Sequence, residues 1–245
     1  MLLARKSAPT EPDDYKVASS DALRRMLKST RDEEFRIGVE LVHSHAPTGA
    51  WLDIGCSYGW FLQQIASAGY EPYGVEPSLT AWAEAQSLFG ERVVNGEFPT
   101  VLANNDLPAR FDVLSTMDVL EHIIDPSEFL QGVRKHCNPL AVFLVKVPSN
   151  DGLLFRLFSA ISTSNRNLAL SRMWQVDFNY PHWHYYSPAS VRLMLAQHGF
   201  EVLTERRLPF AFFSTATDRI RSYRAGRENP LAVAAKALVA YILIA

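Results

Sequence analysis

Two carboxylates and two glycines at fixed spacing stand out in the first third of the chain. Asp53, Gly55 and Gly59 fall within Trp51-Leu52-Asp53-Ile54-Gly55-Cys56-Ser57-Tyr58-Gly59, and Glu76 follows twenty-one positions after Gly55. The apolar run from Ala50 to Ile54 predicts a buried strand, and the apolar stripe from Trp60 to Ala68 predicts a helix. Between them the glycines let the backbone turn sharply without a Cβ. Such a turn offers helix N-terminal amides and bare backbone to a polar ligand, with Asp53 as a fixed negative charge beside it. A second strand, Tyr70 to Val75, then delivers Glu76, whose carboxylate can accept two hydrogen bonds from a ribose diol. The pattern is that of a nucleotide site on one βαβ unit.

Three further groups carry possible chemistry. Asp118, Glu121 and His122 stand at i, i+3 and i+4, so on a helical turn they share one face and could bind a divalent cation. His182, Trp183, His184, Tyr185 and Tyr186 precede a helix that Ser187 caps and Pro188 opens. A neutral histidine there, His182 or His184, could take the proton of a hydroxyl acceptor while the aromatic faces stack on a sugar or ring. The competing reading is that these histidines fix the loop and the aromatics pack it. Cys56 packs within the glycine turn.

The segments DIGCSYG, YGVEPS, FDVLSTMDVLEHIIDP (Phe111 to Pro126) and HWHYYSPASVRLMLAQHGFEV (His182 to Val202) occur in one order over about Arg36 to Arg207. Together they resemble the class I S-adenosylmethionine-dependent methyltransferases, in particular the group that includes the ubiquinone-biosynthesis O-methyltransferases. The resemblance implies that Asp53, Gly55, Cys56 and Gly59 frame the methionine and ribose portions of the cofactor, and that Glu76 and Pro77 meet the ribose. It further implies that Glu97 and Phe98, after Gly96, reach the adenine, and that Met117 and Asp118 border the methyl-donor end. Glu97 as a solvated acid and Phe98 as a core anchor is the alternative. In ubiquinone-type relatives the positions matching Asp118, Glu121 and His122 are associated with magnesium. The preferred reading here is that Glu121 and His122 hold the loop by hydrogen bonds, because histidine is an unusual magnesium ligand. Tyr58 replaces the small residue commonest in this turn.

These residues need elements to position them. Alternating strand and helix patterns predict strands near 50–54, 71–75, 92–94, 111–116, 140–147 and 200–206, in a mainly parallel sheet covered on both faces. A last strand falls near Leu208 to Ser214. One or two helices are expected over Ser20 to Ser44, closed by Pro47 and Gly49. The resemblance implies a Rossmann-like three-layer α/β sandwich with seven strands in the order 3-2-1-4-5-7-6, the last antiparallel. Between 148 and 187 the alternation stops. This aromatic, polar insertion is expected to form a helical lid over the strand C-terminal ends, where open α/β sheets bind ligands. The domain reading is thus an arm (1–18), a methyltransferase domain (19–215) and an apolar helical tail (216–245).

Composition limits the function classes. The chain has 245 residues, 48% of them hydrophobic, enough for one sizeable core. Its formal net charge of −2 gives no global attraction for nucleic acid. Cys56 and Cys137 make neither a disulfide scaffold nor a metal cluster and suit a reduced compartment. The first residues, MLLARKSAPTEPDD, hold too short an apolar run for a signal-peptide core and read as a flexible arm. Leu231 to Ala245, with Lys236 its only charge, is shorter than the ~18 residues of a spanning helix, and is expected to pack on the protein, on a subunit or at a membrane surface.

The expectation is therefore a cytoplasmic enzyme that uses S-adenosylmethionine to methylate a small-molecule or glycan-type acceptor at oxygen, with a divalent cation possible but not favoured. Two other classes stay open: a nicotinamide-dependent oxidoreductase, whose usual GxGxxG is missing, and a non-catalytic cofactor-binding protein of the same fold.

Overall fold

The computed structural model describes residues 21–151 and 180–208. The expected arm, most of the insertion between 148 and 187, and the apolar tail lie outside the described residues. Within them, helix α1 (Asp21–His43) leads into β1 (Ala50–Ile54), α2 (Trp60–Ser67), β2 (Glu71–Glu76), α3 (Leu79–Phe89) and β3 (Val93–Asn95). Then follow β4 (Phe111–Met117), α4 (Pro126–Lys135), β5 (Cys137–Lys146) and α5 (Pro188–Gln197). The segment Ser20 to Ser44 thus forms one helix rather than two.

The sheet runs β3-β2-β1-β4-β5, every pair parallel, so β1 and β4 sit at its centre. Alternation along β1 sorts the core. Leu52 and Ile54 join Val75, Leu114, Leu130 and Val133 on the face covered by α4 and α5. Trp51 joins Phe35, Phe61, Leu62, Ile65 and Val113 on the face covered by α1, α2 and α3. Both faces being buried is what a parallel sheet requires, and it explains why the central strands read as nearly continuous apolar runs.

Local chemistry sets the helix starts. Asp125 Oδ1 accepts the amides of Ser127 and Glu128, both at 3.0 Å, with Pro126 opening α4 and Arg134 and Lys135 near its C-terminal end. Ser187 caps α5 in a reciprocal capping box with Ser190, and Pro188 is its first residue, as the sequence predicts.

The seven-stranded expectation requires correction: among the described residues the sheet has five strands and none is antiparallel. Residues 201–208 run without joining a ladder, and Val202 and Leu203 are exposed. Phe200 alone reaches the core, against Phe143, while side-chain pairs Arg192–Glu205 and Arg207–Asp151 hold the segment. The last expected strand lies, Leu208 apart, outside the described residues. Among the described residues no helix is long and apolar enough to cross a membrane.

Candidate active site

The turn after β1 is built by three residues at positive φ: Gly55 (78°), Ser57 (50°) and Gly59 (74°). A Cβ on Gly55 would lie 2.6 Å from Val119 Cγ2, so the position is closed to side chains by space as well as by backbone conformation. The turn is also satisfied from within. The amides of Gly55 and Cys56 both donate to the Val75 carbonyl, at 2.8 and 3.1 Å, and that of Gly59 donates to the Cys56 carbonyl at 3.0 Å. The Ser57 amide donates to Glu76 Oε2 at 2.8 Å. These four turn amides, among them the two glycine amides that the sequence offered to a ligand, are therefore engaged by the protein itself.

Glu76 ends β2 and is only 5% exposed. Its Oε1 accepts the Ser78 amide at 2.9 Å, so the carboxylate spans the glycine turn and the start of α3. Burial raises its pKa, and the Ser78 and Ser57 amides pull the other way. Each oxygen keeps a second lone pair. Pro77 follows, half-buried, its carbonyl accepting Asn95 Nδ2 at 3.2 Å.

Asp53 lies one strand over, 2% exposed. A hydrogen-bond chain orients it: Trp51 Nε1 donates to Ser115 Oγ at 2.8 Å, and Ser115 Oγ donates to Asp53 Oδ1 at 2.6 Å. Burial pushes its pKa to about 7, the Ser115 hydroxyl works against that rise, and the charge of Glu76 adds to it. Asp53, Gly55, Cys56, Ser57 and Met117 line one cleft together with Arg31 and Phe35 of α1 and Trp60 and Phe61 of α2. The Cys56 thiol is buried and held well above its ordinary pKa by desolvation and by Asp53 and Glu76. Tyr58 is buried and stacks on Trp60 with ring centroids 5.1 Å apart, which gives this unusual turn residue a packing role.

Glu97 is exposed. Phe98 packs edge-on against Phe129 of α4 at 5.3 Å and is absent from the residues lining the cleft.

Beyond β4, Asp118 adopts φ 59° and turns toward Lys146 at the end of β5. Lys146 Nζ donates to its Oδ1 at 2.7 Å and Oδ2 at 2.5 Å, and pairs with Glu34 Oε2 of α1 at 2.9 Å. Burial disfavours the lysine charge, but Asp118 and Glu34 outweigh it and its pKa is raised. The expectation that Asp118, Glu121 and His122 share one face of a helical turn is thereby corrected. Only Leu120–His122 forms a 3-10 turn, and Asp118 precedes it in a left-handed conformation that carries its carboxylate to Lys146.

Glu121 and His122 instead meet His182: one ligand atom from each lies within 4.8 Å of the others. The His122 and His182 rings are 4.7 Å apart. Burial raises the Glu121 pKa to about 8, with the charge of Asp118 adding to it, and burial lowers that of His122. The two loop histidines are not equivalent. His184 Nε2 is 3.4 Å from the Ile124 carbonyl, whereas His182 Nδ1 is 3.1 Å from the Tyr185 hydroxyl and its ring belongs to the cluster. The Glu121 carbonyl accepts the amides of both Trp183, at 2.8 Å, and His184, at 3.2 Å.

Sequence reasoning missed Arg31, Glu34, Phe35 and Lys146. Glu34 is only 3% exposed, which the packing of α1 and not the sequence reveals.

A family model described as a methyltransferase domain matches residues 19–205. The ubiquinone biosynthesis O-methyltransferase of Pseudoalteromonas translucida is 33% identical over 91 residues, which are 36% of this chain and 39% of that protein. The chain thus spans about two fifths of the length of such curated relatives. The cyclopropane synthase MmaA2 from Mycobacterium tuberculosis shares the fold at a TM-score of 0.62 and 16% identity, over 86% of this chain and 74% of that one. Phosphoethanolamine N-methyltransferase 2 of Haemonchus contortus, solved in complex with S-adenosyl-L-methionine, does so at 0.55 and 17%, over 84% and 47%. With a parallel β3-β2-β1-β4-β5 sheet and a glycine turn after β1, this match over most of the chain establishes that it belongs to the class I S-adenosylmethionine-dependent methyltransferase family.

Proposed function

We propose that the chain binds S-adenosylmethionine in the cleft at the ends of β1, β2 and β4 and transfers its methyl group to a hydroxyl oxygen of a small-molecule or glycan-type acceptor. The observation that carries this reading is the self-satisfied turn flanked by two buried carboxylates. A turn built for a pyrophosphate leaves its amides aimed at the ligand. Here four of them are occupied, while Asp53 and Glu76 supply negative charge, which suits a sulfonium nucleoside and disfavours a nicotinamide dinucleotide. Arg31 and Asp53 on the cleft wall match the two charges of the methionine end, and the second lone pairs of Glu76 match the ribose diol.

In the reaction the acceptor oxygen attacks the methyl carbon in line, the carbon–sulfur bond breaks, and the electron pair stays on sulfur to give neutral S-adenosylhomocysteine. The cofactor supplies the activated methyl, and positioning by the protein contributes several kcal/mol. Met117 and Asp118 border the methyl end. The cluster of Glu121, His122 and His182 is the acceptor pole, where the hydroxyl proton departs, with His182 rather than His184 as the base because only His182 faces the other two. Transfer to oxygen is supported by the O-methyltransferase names of the relatives, and a glycan or ring acceptor by the aromatic residues around His182.

Calorimetric titration with S-adenosylhomocysteine and with NADH tests the cofactor. Micromolar binding of the first and none of the second is expected, and the reverse overturns the proposal. Release of labelled methyl groups onto hydroxyl-bearing acceptors, lost on His182→Ala with cofactor affinity intact, tests the acceptor pole and separates an enzyme from a binding protein.

A further inference from the structure

Glu121 is 1% exposed, and its Oε2 is buried without a hydrogen-bond partner. Leaving a buried carboxylate oxygen unpaired is costly, so such an atom marks a place where something else belongs. Two imidazoles stand beside this carboxylate. One ligand atom each from Glu121, His122 and His182 lies within 4.8 Å of the others. His122 Nδ1 is 3.1 Å from the Pro181 carbonyl, a bond that only an N–H can make, and the Tyr180 backbone also bonds the ring; with the hydrogen on Nδ1 the neutral ring holds its lone pair at Nε2. A ring that donates one nitrogen to a backbone carbonyl and offers the other is the usual arrangement of a metal-bound histidine. His182 comes from a different segment and is steadied by the Tyr185 hydroxyl.

We propose that Glu121, His122 and His182 bind one divalent cation of the nitrogen-preferring kind, such as Zn²⁺ or Co²⁺, and not Mg²⁺. Two imidazoles and one carboxylate suit such ions, whereas magnesium favours an all-oxygen shell. The set differs from the one that the sequence spacing suggested. Asp118 is taken by Lys146 and stands outside the group, so the acid, acid and histidine of the motif do not fit one ion in this chain. Metal bonds of about 2.0 to 2.2 Å place ligand atoms roughly 3 to 4 Å apart, which small side-chain rotations supply. Three protein ligands leave positions open for water or an acceptor oxygen. The inference rests on the acceptor pole proposed above and refines it: with the cation bound His182 is a ligand, and the acceptor hydroxyl, acidified on the cation, gives its proton to water, the base role of His182 applying to the cation-free chain.

The test uses the full chain, stripped with a chelator and titrated with Co²⁺ while its visible absorption is followed. One ion per chain, displaced by Zn²⁺ and indifferent to excess Mg²⁺, is expected. His182→Ala, His122→Ala and Glu121→Gln should each weaken Co²⁺ binding at least about tenfold, and Asp118→Asn should leave it within about threefold. His182 is half-buried on a loop, so its replacement spares the core. S-adenosylhomocysteine titration of every variant reports folding and the cofactor reading separately. Cofactor binding without any Co²⁺ bands in the natural chain overturns the cation site alone. Retained Co²⁺ affinity in His182→Ala, or its loss in Asp118→Asn only, also overturns the assignment.

Discussion

Glu76 holds the Ser57 amide of the glycine turn and the Ser78 amide at the start of α3, so its removal has two effects. Glu76→Ala should weaken S-adenosylhomocysteine binding by about 1 to 3 kcal/mol and lower the melting temperature as well, since the Ser57 and Ser78 amides lose their partner. Calorimetry and thermal unfolding on the same sample check both; unchanged affinity would remove its role toward the ribose. Asp53 gives a pH signature. Its folded pKa of about 7 lies above its ordinary value of 3.8, so between those values the folded state binds the extra proton. Stability from this residue is therefore full at about pH 4, falls as pH rises to about 7, and is flat beyond. Asp53→Asn should abolish that decline and leave the ligand-free chain more stable at pH 8 by a few kcal/mol, while S-adenosylmethionine binds more weakly. Urea unfolding at pH 5 and pH 8 measures it, and an undiminished slope in the variant would assign the titration elsewhere.

At the level of elements, the glycine turn and the α1–β5 link are the joints that set the cleft. Gly55→Ala places a methyl 2.6 Å from Val119 Cγ2 at φ 78° and should cost about 1 to 3 kcal/mol with loss of cofactor binding. Lys146→Met removes the ammonium that pairs with Glu34, which is 3% exposed, and with Asp118, to which Arg31 stays paired at 3.9 Å. Breaking a buried pair in this way costs about 3 to 5 kcal/mol, part of which Glu34→Gln in the same chain should restore. Denaturant titration of the single and double variants checks the coupling. The start of α5 was legible in the sequence because its cap is local: Ser187-Pro188 carries its own hydrogen-bond acceptor and preset backbone. The strand expected at 200–206 was not, because an alternating pattern states which face a strand would bury and is silent on whether a neighbour stands beside it.

Across the whole molecule, a ligand that binds only the folded chain stabilises it by mass action. S-adenosylhomocysteine at about 100 times its dissociation constant should add about 2.7 kcal/mol, and NADH should add nothing. Thermal unfolding with each ligand reads this directly. The βαβ half of the site was legible because Asp53, Gly55 and Glu76 are set by one strand–turn–helix–strand path. The rest depends on which distant segments meet. Arg31 and Lys146 meet at Asp118, and His182 meets Glu121 and His122, only when α1, β5 and the loop before α5 converge on the segment after β4, and no local spacing encodes those meetings.

The Glu121 carbonyl takes the amide hydrogens of Trp183 and His184 at once. A single peptide oxygen thereby rivets the path leaving the central strand to the loop that bears His182. On the function proposed above, this rivet holds donor and acceptor like the jaws of a caliper locked at one setting. An acceptor lengthened by one bond displaces its own oxygen from the line of attack, so discrimination among acceptors falls on turnover and much less on affinity.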